Sequence, residues 1–169
     1  SAALTFDKMG DPCWALEVLH SWSSDHDAQG HYARLLVDYG MLSQAEDYIS
    51  LHGANVGRSM AVSRAMLHLL KGQFDQAGEA LAATISPSPQ INRLASLMTR
   101  IPESRSALRA SELSTQMRLY PLSVAILAAS DHSDPDVAKA FRRAKRGASN
   151  DRRRALARHR TRWAIRGAV

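Results

Sequence analysis

Lys71-Gly72-Gln73-Phe74-Asp75-Gln76-Ala77 reads as the end of one helix, a tight turn and the start of the next. Gly72 closes the first helix, because a left-handed cap carries no steric cost only at glycine. Phe74 covers the turn, and Ala77 is small enough to let the two helices approach. The phrase occurs earlier as Gly40-Met41-Leu42-Ser43-Gln44-Ala45, and more faintly as Gly10-Asp11-Pro12-Cys13-Trp14-Ala15. In each, a larger apolar residue or Pro stands two positions after Gly, and Ala five positions after it. The glycines are 30 and 32 residues apart. A helix–turn–helix phrase at that period predicts an all-α chain of stacked antiparallel helix pairs. Runs of β-branched residues with period two are absent, which argues against a sheet.

Leu4 to Met9 reads as the last turns of a helix begun upstream, so the chain is expected to be a piece of a longer protein. Asp11 caps a helix that starts at Pro12, where a missing N–H costs nothing, and runs to about Trp22. Asp27 is the expected cap of a helix through Leu35 and Leu36 to Tyr39, and Ser43 that of its partner with Ala45, Tyr48 and Ile49. Val56 to Lys71 and Phe74 to Thr84 form the clearest pair. Ser86-Pro87-Ser88-Pro89 breaks the rhythm. Ile91 to Ile101, Pro102 towards Leu119, and Leu122 to Ala129 are further helices, with a break at Tyr120-Pro121. A degraded copy of the turn phrase falls at Arg118 to Ser123, with Tyr120 for Phe74 and Ser123 for Ala77. Asp134-Pro135 opens a helix with Val137, Phe141 and Ala144 on one face and Lys139, Arg142, Arg143 and Arg146 on another. Gly147 to Asn150 interrupts it before a last arginine-rich helix with Trp163. The chain divides into a helical-repeat domain, 1–133, and a basic helical extension, 134–169.

Charge follows the same division. The chain is formally +6, and from Asp134 to Val169 twelve Lys or Arg face three Asp. The tail is therefore +9 and the body −3. Such asymmetry points the tail at an anionic partner: a membrane surface, an acidic protein face or nucleic acid. The candidate anion-binding residues are Lys139, Arg142, Arg143, Arg146, Arg152, Arg153 and Arg154, since guanidinium forks bind phosphate bidentately. A solvated end and a dock onto the acidic body are the other readings of this tail.

Gly72, Phe74 and Ala77, with apolar residues upstream and Ala80-Leu81 downstream, resemble the turn and packing positions of the tetratricopeptide repeat. Gly40 with Ala45 matches in part, Leu42 replacing the aromatic, and Gly10 with Ala15 least, because Pro12 stands there. The resemblance covers roughly Leu4 to Thr84 and fades after Pro87, at a period slightly short of the family's usual 34. It implies a short right-handed solenoid whose concave face binds a peptide or protein. Lining by the first helices of successive pairs nominates Arg34, Asp38, Arg64 and His68 as groove residues.

Chemical alternatives are weaker. His20, His26 and His31 with Asp25 and Asp27 are the densest potential ligands, but no His-Glu-x-x-His phrase is present and the spacing suits solvated loop residues better than zinc. No Gly-x-Ser-x-Gly turn or phosphate loop is found. Cys13 reads as a small core residue, and Met60, Met66, Met98 and Met117 as core filling. No apolar run approaches the roughly 20 residues of a membrane span, and no secretory signal is evident. The expectation is a cytoplasmic adaptor without catalysis, cofactor or metal, with peripheral membrane contact through the tail. Its rivals are a segment of a larger membrane-associated enzyme such as a glycosyltransferase, and a nucleic-acid-binding regulator.

Overall fold

The computed structural model describes His20 and residues 24–150. The Gly10 turn, Cys13, Arg152, Arg153, Arg154 and Trp163 lie outside the described residues. Helices follow one another as α1 (His26–Asp38), α2 (Leu42–Leu51), α3 (Arg58–Leu70), α4 (Phe74–Ala82), α5 (Pro89–Met98), α6 (Ser104–Gln116) and α7 (Tyr120–Ala128). A further helix, α8, covers 135–150. The described residues contain no strand.

Among the described residues one turn design occurs three times. Gly40 and Gly72 sit at φ of +72° and +69°, and the third such position is Arg118 at +59°. In each turn two amides reach back to the preceding helix. Met41 N–H donates to the Leu36 carbonyl and Gly40 N–H to that of Val37; Gln73 to His68 and Gly72 to Leu69; Leu119 to Ser114 and Arg118 to Thr115. This is the Schellman arrangement, which satisfies carbonyls that the helix end leaves open. The next residues, Met41, Gln73 and Leu119, share one conformation, with φ between −82° and −96° and ψ between 58° and 74°. The partner helix then starts at Leu42, Phe74 or Tyr120. Three residues further on stand Ala45, Ala77 and Ser123, at most 1 % exposed. Serine at the third copy brings a hydroxyl into the core, and α6 supplies its partners. Ser123 Oγ lies 2.7 Å from Ser111 Oγ, donates to the Ser111 carbonyl at 3.2 Å and accepts from Thr115 Oγ1 at 3.1 Å.

Local details differ from the sequence reading where side chains compete for a cap. Asp25 caps α1, its Oδ1 accepting from Ala28 N–H at 2.9 Å, and Asp27 falls in the first turn. Ser43 caps nothing, because the turn itself delivers the chain to α2 at Leu42. Ser88 caps α5 ahead of Pro89, so the Pro-rich stretch itself starts the next helix, α4 having ended at Ala82. Tyr120-Pro121 opens α7, where proline's missing N–H is harmless. Gly147 does not interrupt α8, which is helical through 150.

Helix α3 is the centre of the packing, in contact with α1, α2, α4 and α7. Its contact with α1 depends on Gly30. A methyl there would collide with the Ser59 side chain and come within 2.7 Å of the Met60 backbone nitrogen. Ser63 Oγ, on α3, donates to the Gly30 carbonyl at 3.0 Å. Buried Asn55 fastens the α2–α3 loop to the same helix. Its amide nitrogen donates to the His26 carbonyl and Gln29 Oε1, and its oxygen accepts from Gly57 N–H, all at 2.9 Å. Gly78 lets α4 approach α5 in the same way, with the Ala95 carbonyl 2.9 Å from where a methyl would stand. Met60, Met66 and Met98 are buried in the core between these helices, with Leu81, Ile91, Leu94, Leu122 and Ile126.

The first two hairpins, α1/α2 and α3/α4, place their first helices side by side. Helix α5 then intervenes, packed on α4 and α6, before the third hairpin α6/α7, whose second helix lies against α3. Successive helices joined by short loops run antiparallel. The Gly40 and Gly72 turns are thus at one rim, and the 52–57 and 83–88 loops at the other, where Ile85 N–H donates to the Val56 carbonyl at 2.9 Å.

Candidate binding surfaces

The groove residues suggested by sequence occupy α1 and α3, and each has a local partner. Arg34 Nε lies 3.8 Å from Asp38 Oδ2, one turn along α1. Arg64 Nη2 donates to the carbonyls of His52 and Gly53, 3.1 Å to each, and so closes the end of α2. Burial lowers the Arg64 pKa. His68 Nδ1 is 2.8 Å from Gln73 Oε1, which calls for a proton on Nδ1, and binds the ring to the turn after α3. Of the four, these contacts bring only Arg34 and Asp38 together. On the first hairpin Tyr32, Tyr48 and His52 pack ring against ring, tilted by 47°, with centroids 4.5 and 4.4 Å apart.

The histidine cluster divides among other tasks. Asp25 is a cap, and His20 lies 6.1 Å from the Tyr32 ring. Burial, then the Arg34 charge, hold the His31 pKa below its ordinary value of 6.5, against weaker upward pulls from Asp27 and Asp25. Among the described residues no group of His, Cys, Asp or Glu is arranged to hold a metal ion.

The basic face of α8 begins from a fixed point. Asp134 Oδ1 accepts from Asp136 N–H at 2.8 Å. The Ser104 side chain, at the start of α6, faces the same carboxyl and, with that backbone bond, holds it below the usual carboxylate range. Val137 is fully buried. Beyond it Lys139, Arg142, Arg143 and Arg146 are all exposed. Sequence spacing missed Lys145, also exposed, whose Nζ stands 4.4 Å over the Phe141 ring, with His132 edge-on to the same ring at 5.0 Å. None of these five cations has an ion-pair partner among the described residues. The remaining helix positions from 138 to 148, mostly alanine with Phe141, are half-buried.

A second feature went unnoticed in the sequence. Between α5 and α6 runs a cleft of about 220 Å³ lined by Arg93, Leu97, Arg109, Glu112, Leu113 and Gln116. Leu97 and Leu113 rest on the core and form its floor. Its signal was Arg93-Leu97 and Arg109-Leu113, two pairs at the same four-residue spacing on neighbouring helices. Among the described residues no helix is long and apolar enough to cross a membrane. Comparison of the chain with family models, curated proteins and solved structures finds no match.

Proposed function

We propose that the chain is a non-catalytic helical-repeat adaptor that holds a protein or peptide partner and uses α8 to contact an anionic surface. The observation behind this reading is the exposed cation set Lys139, Arg142, Arg143, Lys145 and Arg146 on one helix, without ion-pair partners among the described residues. Unpaired surface cations retain their full charge for a partner, whereas paired ones are partly neutralised. The wider charge distribution agrees: residues 89–150 carry ten Lys or Arg against five Asp or Glu, residues 24–88 four against seven. An anionic lipid surface adds roughly 1 kcal/mol per nearby basic residue. The stacking of α1 on α3 and the three like turns support a short solenoid related to the tetratricopeptide type. In this reading Arg34, Asp38, Arg64 and His68 belong to a partner-facing side of α1 and α3.

Sedimentation with vesicles tests the reading. The chain should sediment with phosphatidylserine-containing vesicles at low salt, stay free with neutral vesicles, and detach at 1 M salt, where the Debye length is about 3 Å. R142Q/R143Q/R146Q should abolish the association. Vesicle binding that survives this triple substitution, or a nucleic-acid shift at protein concentrations where vesicles show nothing, would overturn it.

A further inference from the structure

We propose that the cleft between α5 and α6 is a second binding site, for an acidic peptide segment carrying a leucine-like side chain between carboxylates. Arg93 stands on α5 and Arg109 on α6, so the cleft carries a guanidinium on each helix. Both are exposed, and neither has a side-chain partner among the described residues. This differs from Arg100 close by, whose Nε and Nη2 are engaged by Glu103 at 3.1 and 2.8 Å. Arg109 and Glu112 share one face of α6, three residues apart, without pairing. Two unengaged forks each offer parallel N–H donors that match a carboxylate.

The floor is apolar. Leu97 and Leu113 are half-buried, each four residues beyond its arginine, so an aliphatic side chain can rest on them while its neighbours reach the guanidiniums. Gln116 adds an amide that can bond a peptide backbone at the end of the cleft. Glu112 sets the polarity: a carboxylate ligand is drawn towards the arginines and away from the Glu112 side. Size selects the class of ligand. At about 220 Å³ the cleft is smaller than the roughly 300–1,000 Å³ that encloses a drug-sized molecule, and it suits one or two side chains of an extended or helical segment. The proposal does not depend on α8.

Fluorescence anisotropy on the full chain tests it, with a short labelled peptide carrying glutamates on both sides of a leucine. Peptides with Gln for Glu, and with Ser for Leu, are the comparisons. Saturable binding is expected for the Glu–Leu peptide, weakened roughly three- to ten-fold by either exchange. R93Q and R109Q should each weaken it by a similar factor, and R105Q, an exposed arginine of α6 outside the cleft, should not. Backbone amide shifts on titration should concentrate in residues 93–116. No saturable binding, equal binding of the Gln peptide, loss of binding in R142Q/R143Q/R146Q but not in R93Q, or concentration-dependent self-association in place of peptide binding would each overturn the proposal.

Discussion

Single positions decide how well the repeated turn closes. Arg118 takes the left-handed conformation that glycine fills at 40 and 72. An L-residue there is strained by roughly 1–2 kcal/mol, while glycine adds about 0.5–1 kcal/mol of unfolded-state entropy. Arg118→Gly is therefore expected to stabilise the chain by a net ~0.5–1 kcal/mol, read as a higher midpoint in urea. Asn55 is the opposite case. Truncation to Ala removes the bonds that Asn55 makes with the His26 carbonyl, the Gln29 amide oxygen and the Gly57 N–H. A loss of about 1–3 kcal/mol should follow, measurable by the same denaturation. His31 gives the chain a pH dependence of definite sign. Its folded pKa lies below 6.5 through burial and Arg34, so its contribution is complete above about pH 6.5 and fades as pH falls through the lowered value. The melting temperature of wild type should drop between pH 7 and 5 by more than that of His31→Gln. Equal slopes would show that His31 is not the titrating group.

Small residues set the closest approaches between helices here, around a core of larger ones. Ala77 has no exposed surface, and Ala77→Trp should cost roughly 1–3 kcal/mol or more by forcing α3 and α4 apart. An unchanged thermal midpoint in that variant would place position 77 at the surface. These contacts also explain what was legible in the sequence. The Gly40 and Gly72 turns, the small residue five positions on, and even the degraded copy at Arg118 are visible because a left-handed cap and a close helix contact each restrict the residue type to a few. Caps were less legible, since Asp25 and Asp27 are chemically equal and only the entry angle of the chain selects between them. Gly147 reads as a breaker, yet one glycine costs a helix only about 1 kcal/mol relative to alanine. The role of Gly30 was invisible, because its cause is α3, some thirty residues away. Among the proposed site residues, the exposed basic face of α8 followed from helical spacing. The groove was harder to read: whether Arg64 faces a partner or the end of α2 depends on how two hairpins meet, and periodicity carries no such information.

At the scale of the molecule, stability should be centred on α3, which touches four other helices. Its amides are expected to exchange slowest in hydrogen-exchange measurements and those of α8, exposed along most of one side, fastest. Protection greatest in α6 or α7 would move the stable unit to the third hairpin. Helix α5 has a consequence of another kind, one of parity. Three hairpins alone would put all three turns on one rim. The single odd helix reverses the direction of everything after it, so the Arg118 turn sits on the rim of the 52–57 and 83–88 loops, and α7 runs parallel to α3 instead of against it. The chain leaves α7 on the rim of Gly40 and Gly72, where Asp134 meets Ser104 at the start of α6. Deleting α5, or adding one more helix like it, would send α8 out from the other rim. One helix of ten residues thus sets which end of the body an anchored α8 would turn towards a surface.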